Sequence, residues 1–98
     1  MKVKILSLAI HDIESGQRFY EQNQQGLGIY FLDTLFSDID SLLLYAGVHQ
    51  QFFGYYRSLS KRFPYAIYYK MNAETIEVWR VLDCRENSVK TANALKPK

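Results

Sequence analysis

The run Gly54-Tyr55-Tyr56-Arg57-Ser58-Leu59-Ser60-Lys61-Arg62-Phe63-Pro64-Tyr65-Ala66-Ile67-Tyr68-Tyr69 decides how the rest of the chain is read. Two β-prone, aromatic segments are separated by a short polar stretch, and the cations Arg57, Lys61 and Arg62 fall on or between them. In the second segment Phe63, Tyr65, Ile67 and Tyr69 share one face of a strand, and Ala66 and Tyr68 share the other. Pro64 has no N–H to donate, which places it at an edge or a strand start. Strands are therefore expected over about residues 54–60 and 63–71. The Asn72-Ala73-Glu74 turn then leads into a third over 75–82. There Ile76, Val78 and Arg80 alternate with Glu77, Trp79 and Val81. Three strands joined by short turns form an antiparallel meander.

Upstream the period changes from two to 3.6. Leu32, Leu35, Phe36, Ile39, Leu42 and Leu43 step by three and four, which predicts a helix over about 28–45 closed by Gly47. Asp33, Ser37, Asp38, Asp40 and Ser41 occupy its other faces. Asp38 and Asp40 are two apart, so they point to different sides and read as a solvated acidic surface rather than a paired acid and base. A preceding helix starts at His11 or Asp12, with Asp12 and Glu14 in its first turn, where the dipole favours carboxylates. Ile10, Ile13, Gln17 and Tyr20 lie on one side of it, and the polar run to Gln25 with Gly26 and Gly28 ends it. The two helices form an antiparallel hairpin. Residues 2–9 read as an N-terminal strand, and residues 83–98 as a polar tail with a frayed end.

This order predicts one α+β domain over residues 1–98, with a single sheet, the helix hairpin packed on one face and the other face open. The composition agrees: 98 residues, 48% hydrophobic and 15% aromatic, suffice for a core. The net charge of +2 is too small to indicate nucleic-acid binding alone, but its distribution is uneven. Residues 57–62 hold three cations and no anion, and residues 33–40 three aspartates and no cation. One cysteine, Cys84, excludes an intramolecular disulfide and a thiolate metal cluster, and fits a reducing cytoplasm. It reads as a semi-buried thiol at a strand end. No apolar run is long enough for a membrane span, and Met1–Ile10 is too short for a signal peptide.

Neither a phosphate-binding glycine loop nor a metal-ligand spacing occurs, and His11 and His49 read as solvated surface residues. No cofactor or metal is expected. What remains is cationic: Arg57, Lys61 and Arg62, then Arg80 on the last strand and Arg85 just past it. A meander would allow all five to converge, and guanidinium groups suit phosphates and carboxylates. The plainer reading is that they keep a sheet edge soluble and unpaired. Likewise Tyr55, Tyr56, Tyr65, Tyr68, Tyr69 and Trp79 could stack on bases, or serve as core and cross-strand pairs.

On these residues the chain resembles a family. The β-α-α-β-β-β order, Arg57-x-x-x-Lys61-Arg62-Phe63-Pro64-Tyr65-x-Ile67-x-Tyr69 and Ile76-x-Val78-x-Arg80-Val81-Leu82 are similar to the RelE/ParE toxins of type II toxin–antitoxin systems, some known as plasmid stabilisation proteins. The resemblance spans about residues 3–85. It implies a cytoplasmic growth-inhibiting toxin, held inactive by a cognate antitoxin that folds over the helix hairpin and sheet and contacts operator DNA. ParE-like members inhibit DNA gyrase, whereas RelE-like members cleave mRNA on the ribosome. Cleavage needs a base, an acid and stabilisation of the phosphorane, supplied in the family by sheet Arg and Lys and commonly a C-terminal Tyr or His.

Here residues 86–98 contain neither Tyr nor His, and Asp83 stands at a strand end where relatives often place His. A carboxylate there would repel a phosphate. The resemblance therefore implies the ParE-like branch, with Arg57, Lys61, Arg62, Arg80 and Arg85 as a target-binding surface. The alternatives are a nuclease using Arg57, Lys61, Arg62 and Arg80, or a non-toxic module that only binds antitoxin.

Overall fold

The computed structural model describes residues 1–96. Strand β1 (Lys2–Ile5) leads into helix α1 (Ser7–Asn23), helix α2 (Leu27–Asp40) and a short helix α3 (Leu42–Tyr45). Strands β2 (Gln51–Phe52), β3 (Tyr55–Leu59), β4 (Tyr65–Asn72) and β5 (Thr75–Asp83) follow, then helix α4 (Ser88–Leu95). The sheet order is β1-β5-β4-β3-β2. The pairs β2·β3, β3·β4 and β4·β5 are antiparallel, and β1 lies parallel to β5. This is the α+β arrangement expected, with the hairpin of α1 and α2 on one sheet face.

The main core lies under that hairpin. Ala9, Ile13 and Tyr20 of α1 and Phe31, Leu35 and Ile39 of α2 meet Tyr65, Ile67 and Tyr69 of β4 and Ile76, Val78 and Val81 of β5. The helices approach closely because glycine stands at two contacts. A Cβ on Gly16 would lie 2.5 Å from Phe31 Cζ, and one on Gly28 2.9 Å from the Gln17 carbonyl oxygen. Glu21 fastens the hairpin turn: its carboxylate accepts from the N–H of Gly26 at 3.1 Å and of Gly28 at 3.0 Å. Those are orphan donors at the start of α2, where the dipole also favours an anion.

Several boundaries differ from the sequence reading, each for a local reason. The first strand ends at Ile5 rather than Ala9, since the buried stripe of α1 (Ala9, Ile13, Gly16, Tyr20) already has helical spacing from residue 9. Asp12 and Glu14 thus sit one turn into α1, and Ile10 points outward. The second helix breaks at Ser41 into α2 and α3, and its buried stripe runs through Phe31, Leu35 and Ile39 to Leu42, leaving Phe36 and Leu43 exposed. An added strand, β2, pairs with β3 through the Phe53-Gly54 turn, where both residues have positive φ.

Strand β5 carries a bulge. Tyr68 opposes Arg80 and Tyr69 opposes Val78, so Trp79 is an extra residue. The bulge reverses the alternation expected beyond Val78. Val81, rather than Arg80, joins Ile76 and Val78 in the main core, and Trp79 and Leu82 pack on the opposite face.

That opposite face is not wholly open. Tyr55, Ala66 and Tyr68 form a second cluster there with Leu95 of α4. The segment expected as a polar tail is thus in part a helix. Asn87 caps it by accepting from the Lys90 N–H at 2.8 Å, and Leu95 is only 1% exposed. One buried leucine in a polar stretch gives almost no periodic signal. Of the expected frayed end, Leu95 and Lys96 are described, and residues 97–98 lie outside the described part.

Candidate functional site

Strand register sets the centre of the site. Arg57 on β3 opposes Tyr68 on β4, and Tyr68 opposes Arg80 on β5. Arg57, Tyr68 and Arg80 therefore form a row across the face that α4 partly covers. A cleft of about 330 Å³ lies there, lined by Phe52, Phe53, Arg57, Tyr68, Leu82, Asp83 and Cys84 from the sheet side, by Glu86 of the following turn and by Ser88 and Thr91 of α4. The Arg57 guanidinium carbon stands 4.5 Å from the Phe52 ring centroid, a cation–π contact, and Arg57 makes no ion pair among the described residues. Burial pushes the Tyr68 phenol above its ordinary range, and the neighbouring Arg57 only partly offsets this. Cys84 is at a strand end, as expected, but exposed.

Arg80 is held differently. Its Nε and Nη2 donate to Asp12 at 2.7 and 2.9 Å, and its Nη1 reaches the Ala94 carbonyl at 3.4 Å. Asp12 also accepts from the Val81 N–H at 3.0 Å. These hydrogen bonds hold the arginine firmly in its charged form. The groove beside this pair, about 380 Å³, runs between α1 and α4 and includes Ser15, Phe19 and Lys90.

The other cations point elsewhere. Phe63 wedges against Tyr20 and Phe31, with ring centroids 4.8 and 5.0 Å away, which anchors the β3–β4 loop to the helix hairpin. That anchor holds Arg62 near α2, where it donates to the Tyr30 hydroxyl at 3.1 Å, and leaves Lys61 exposed. Arg85 donates to both Asp83 oxygens, at 3.0 and 2.8 Å, and to the Tyr20 hydroxyl at 3.3 Å. Its guanidinium holds the Asp83 carboxyl below the usual range despite partial burial. The five cations thus spread over three surfaces rather than converging: Arg57 and Arg80 on the sheet, Lys61 and Arg62 on the loop, Arg85 at the end of β5.

Two residues read as solvated are not. Asp38 is buried at 6% exposure and accepts from the Ser60 hydroxyl, and His49 is half-buried with Nδ1 bonded to the Tyr69 hydroxyl. Neither was legible, since both partners lie about twenty residues further along the chain, Ser60 just past β3 and Tyr69 in β4. Of the aromatics offered as stacking surfaces, Tyr65 and Tyr69 belong to the main core and Tyr55 and Tyr68 to the second cluster. Among the described residues no three His, Cys, Asp or Glu side chains stand together as metal ligands, and no helix is long and apolar enough to cross a membrane.

Chemically, the cleft offers one unpaired guanidinium, a protonated phenol, a thiol and hydroxyls. No histidine lines it; two carboxylates do, Asp83 and Glu86, which pair with Arg85 and Lys90. Arg57 is the lining group that can meet an anion.

No protein-family model and no curated protein matches this chain. Among solved structures, a chain of "Chromosomal ParDE TA system from P. aeruginosa" superposes with a TM-score of 0.72 at 15% identity. The match covers 83% of this chain and 92% of that one. At that identity the likeness is one of fold, and it gives this chain a ParE/RelE-like fold without distinguishing a branch.

Proposed function

We propose that this chain is the toxin of a type II toxin–antitoxin system, neutralised by a cognate antitoxin in the cytoplasm, and that it acts by binding rather than by cleavage. The fold likeness to a chain of a ParDE system supports the toxin–antitoxin reading. So does the apolar outer surface of the helices, where Leu8, Ile10, Ile29, Phe36 and Leu43 are all exposed. Five large apolar side chains left exposed on the helices are available to a partner.

The observation that favours binding over cleavage is the state of the Arg57 cleft: it has no histidine, its phenol Tyr68 is held protonated by burial, and its two carboxylates, Asp83 and Glu86, are engaged by Arg85 and Lys90. On this reading Arg57, Lys61, Arg62, Arg80 and Arg85 belong to the target surface. Arg57 makes the contact on the sheet, Arg80 shapes the face through Asp12, and the target is DNA gyrase. The test is induced expression of the chain alone, with plasmid supercoiling and mRNA integrity followed in one culture. Lost supercoiling with intact mRNA is expected. Translation-dependent mRNA cleavage with normal supercoiling would replace this reading by a RelE-like nuclease. Unimpaired growth would leave only an antitoxin-binding module.

A further inference from the structure

Helix α2 has two sides with different company. Phe31, Leu35 and Ile39 face the core, as does Leu42 of α3. On the side turned away from it, Ile29, Asp33, Phe36, Asp40 and Leu43 are all exposed. They recur at steps of four and three, so they form one stripe along the axis. Ser41 keeps right-handed helical angles, and its carbonyl accepts from the Tyr45 N–H at 3.1 Å, so the stripe continues into α3.

The spacing is that of a heptad. Ile29, Phe36 and Leu43 stand seven apart, and so do Asp33 and Asp40. Along the axis the apolar positions follow at about 10.5 Å, seven residues at about 1.5 Å each. A helix laid alongside offers side chains at the same interval, and over two repeats the drift from an ideal seam is only about 40°. A strand repeats about every 6.7 Å and falls out of step.

The stripe has no cation of its own. Between Arg18 and Arg57 the sequence contains no lysine or arginine. Arg62 reaches the N-terminal flank from the β3–β4 loop, but it donates to the Tyr30 hydroxyl. Among the described residues neither Arg62 nor Lys61 forms an ion pair with Asp33 or Asp40. This disfavours two occupants. A second copy of the chain would set aspartates against aspartates, and an anionic lipid surface would meet the same repulsion.

We infer that this stripe seats an amphipathic helix of another polypeptide, whose apolar side chains, seven apart, pack between Ile29, Phe36 and Leu43 while its lysines or arginines meet Asp33 and Asp40. This gives the partner surface of the proposed function a chemistry, and it rests on that reading only for the partner's biological role.

The probe is a peptide of three Leu-Ala-Ala-Leu-Lys-Ala-Lys heptads, titrated into the isotope-labelled full chain and followed by amide NMR shifts. The control carries glutamate in place of lysine; in both peptides like charges oppose self-pairing. Saturable shifts along the helix from Ile29 to Leu43 are expected with the lysine peptide, at least about tenfold weaker with the glutamate peptide. Phe36→Ala weakens the lysine peptide about tenfold. The double variant Asp33→Lys with Asp40→Lys, altered only at exposed positions, reverses the preference between the peptides. Equal binding of the two peptides, no saturation, an unreversed preference in the double variant, or shifts confined to another face overturn the inference. Concentration-dependent shifts of the stripe in the chain alone do so too, since they assign it to a second copy. A chain that arrests growth yet ignores the lysine peptide sinks the inference and leaves the toxin reading; peptide binding without growth arrest does the opposite.

Discussion

Asp12 and Arg80 are joined by two hydrogen bonds, of 2.7 and 2.9 Å, at the point where β5 runs on beyond its parallel partner β1. Strand β1 ends at Ile5, opposite Val78, so the β1-facing side of β5 is unpaired from there on. Asp12 fills the gap by also taking the Val81 N–H. Asp12→Ala should therefore leave a half-buried guanidinium and a backbone donor unmet, at a cost of about 2 kcal/mol. Arg80→Met, which keeps the aliphatic bulk and leaves Asp12 with Val81, should cost less. Urea denaturation of the two variants measures the difference.

Gly16→Ala should destabilise by about 1–3 kcal/mol, since the added methyl would stand 2.5 Å from the ring of fully buried Phe31. The ring is enclosed by Tyr20, Phe63 and Tyr65 and has little room to retreat. The companion change Phe31→Leu in the Gly16→Ala background should recover part of the loss. A double-mutant cycle by thermal melting checks this.

Alkaline stability should fall between about pH 10 and 12. The Tyr65 phenol is pushed up to about 12, first by burial and then by the carboxylate of Asp83. A raised folded-state pKa means the folded form holds its proton longer than the unfolded chain. The stabilisation is complete below the unfolded value near 10 and disappears as the pH rises through 12. Tyr65→Phe should flatten that decline. Phenolate absorbance against pH, with and without denaturant, reads it.

Helix α4 should be the least secure element. Leu95→Ala should cost about 2 kcal/mol, and Asn87→Ala about 1 kcal/mol through the lost cap. In both variants hydrogen exchange should rise over residues 88–95, with α1, α2 and the centre of the sheet unchanged.

On the proposed toxin reading, Arg57→Ala should abolish growth inhibition while shifting the melting midpoint little, because its guanidinium contacts chiefly the Phe52 ring. Arg80→Ala should lose activity and stability together, since Arg80 is part of the Asp12 pair. Parallel growth and melting curves distinguish the two arginines.

The sequence made the architecture legible wherever a period ran long enough. The alternation of Tyr65, Ile67 and Tyr69 against Ala66 and Tyr68 separates the two sheet faces as the structure has them. The helix hairpin was equally plain from its stripes and the glycines between. What escaped the reading depends on single residues or distant partners. Trp79 shifts the alternation by one, and no pattern announces a bulge. Asp38 looked solvated because Ser60, which meets it, is 22 residues away in the sequence. The cations looked convergent because spacing along strands says nothing of Asp12, which takes Arg80, or of Tyr30, which takes Arg62.

The Asp12 plug has a last consequence, for colloidal behaviour. A sheet rim with free N–H and C=O groups is a template for stacking one molecule on another. Along β5 a charged pair occupies that rim, so an incoming backbone would have to expel a carboxylate to dock. At the far rim β2 is two residues long and ends in a tight turn. The edge strand β1 is itself four residues long and carries Lys2 and Lys4, whose charges oppose an added strand, so both rims of the sheet are short and guarded.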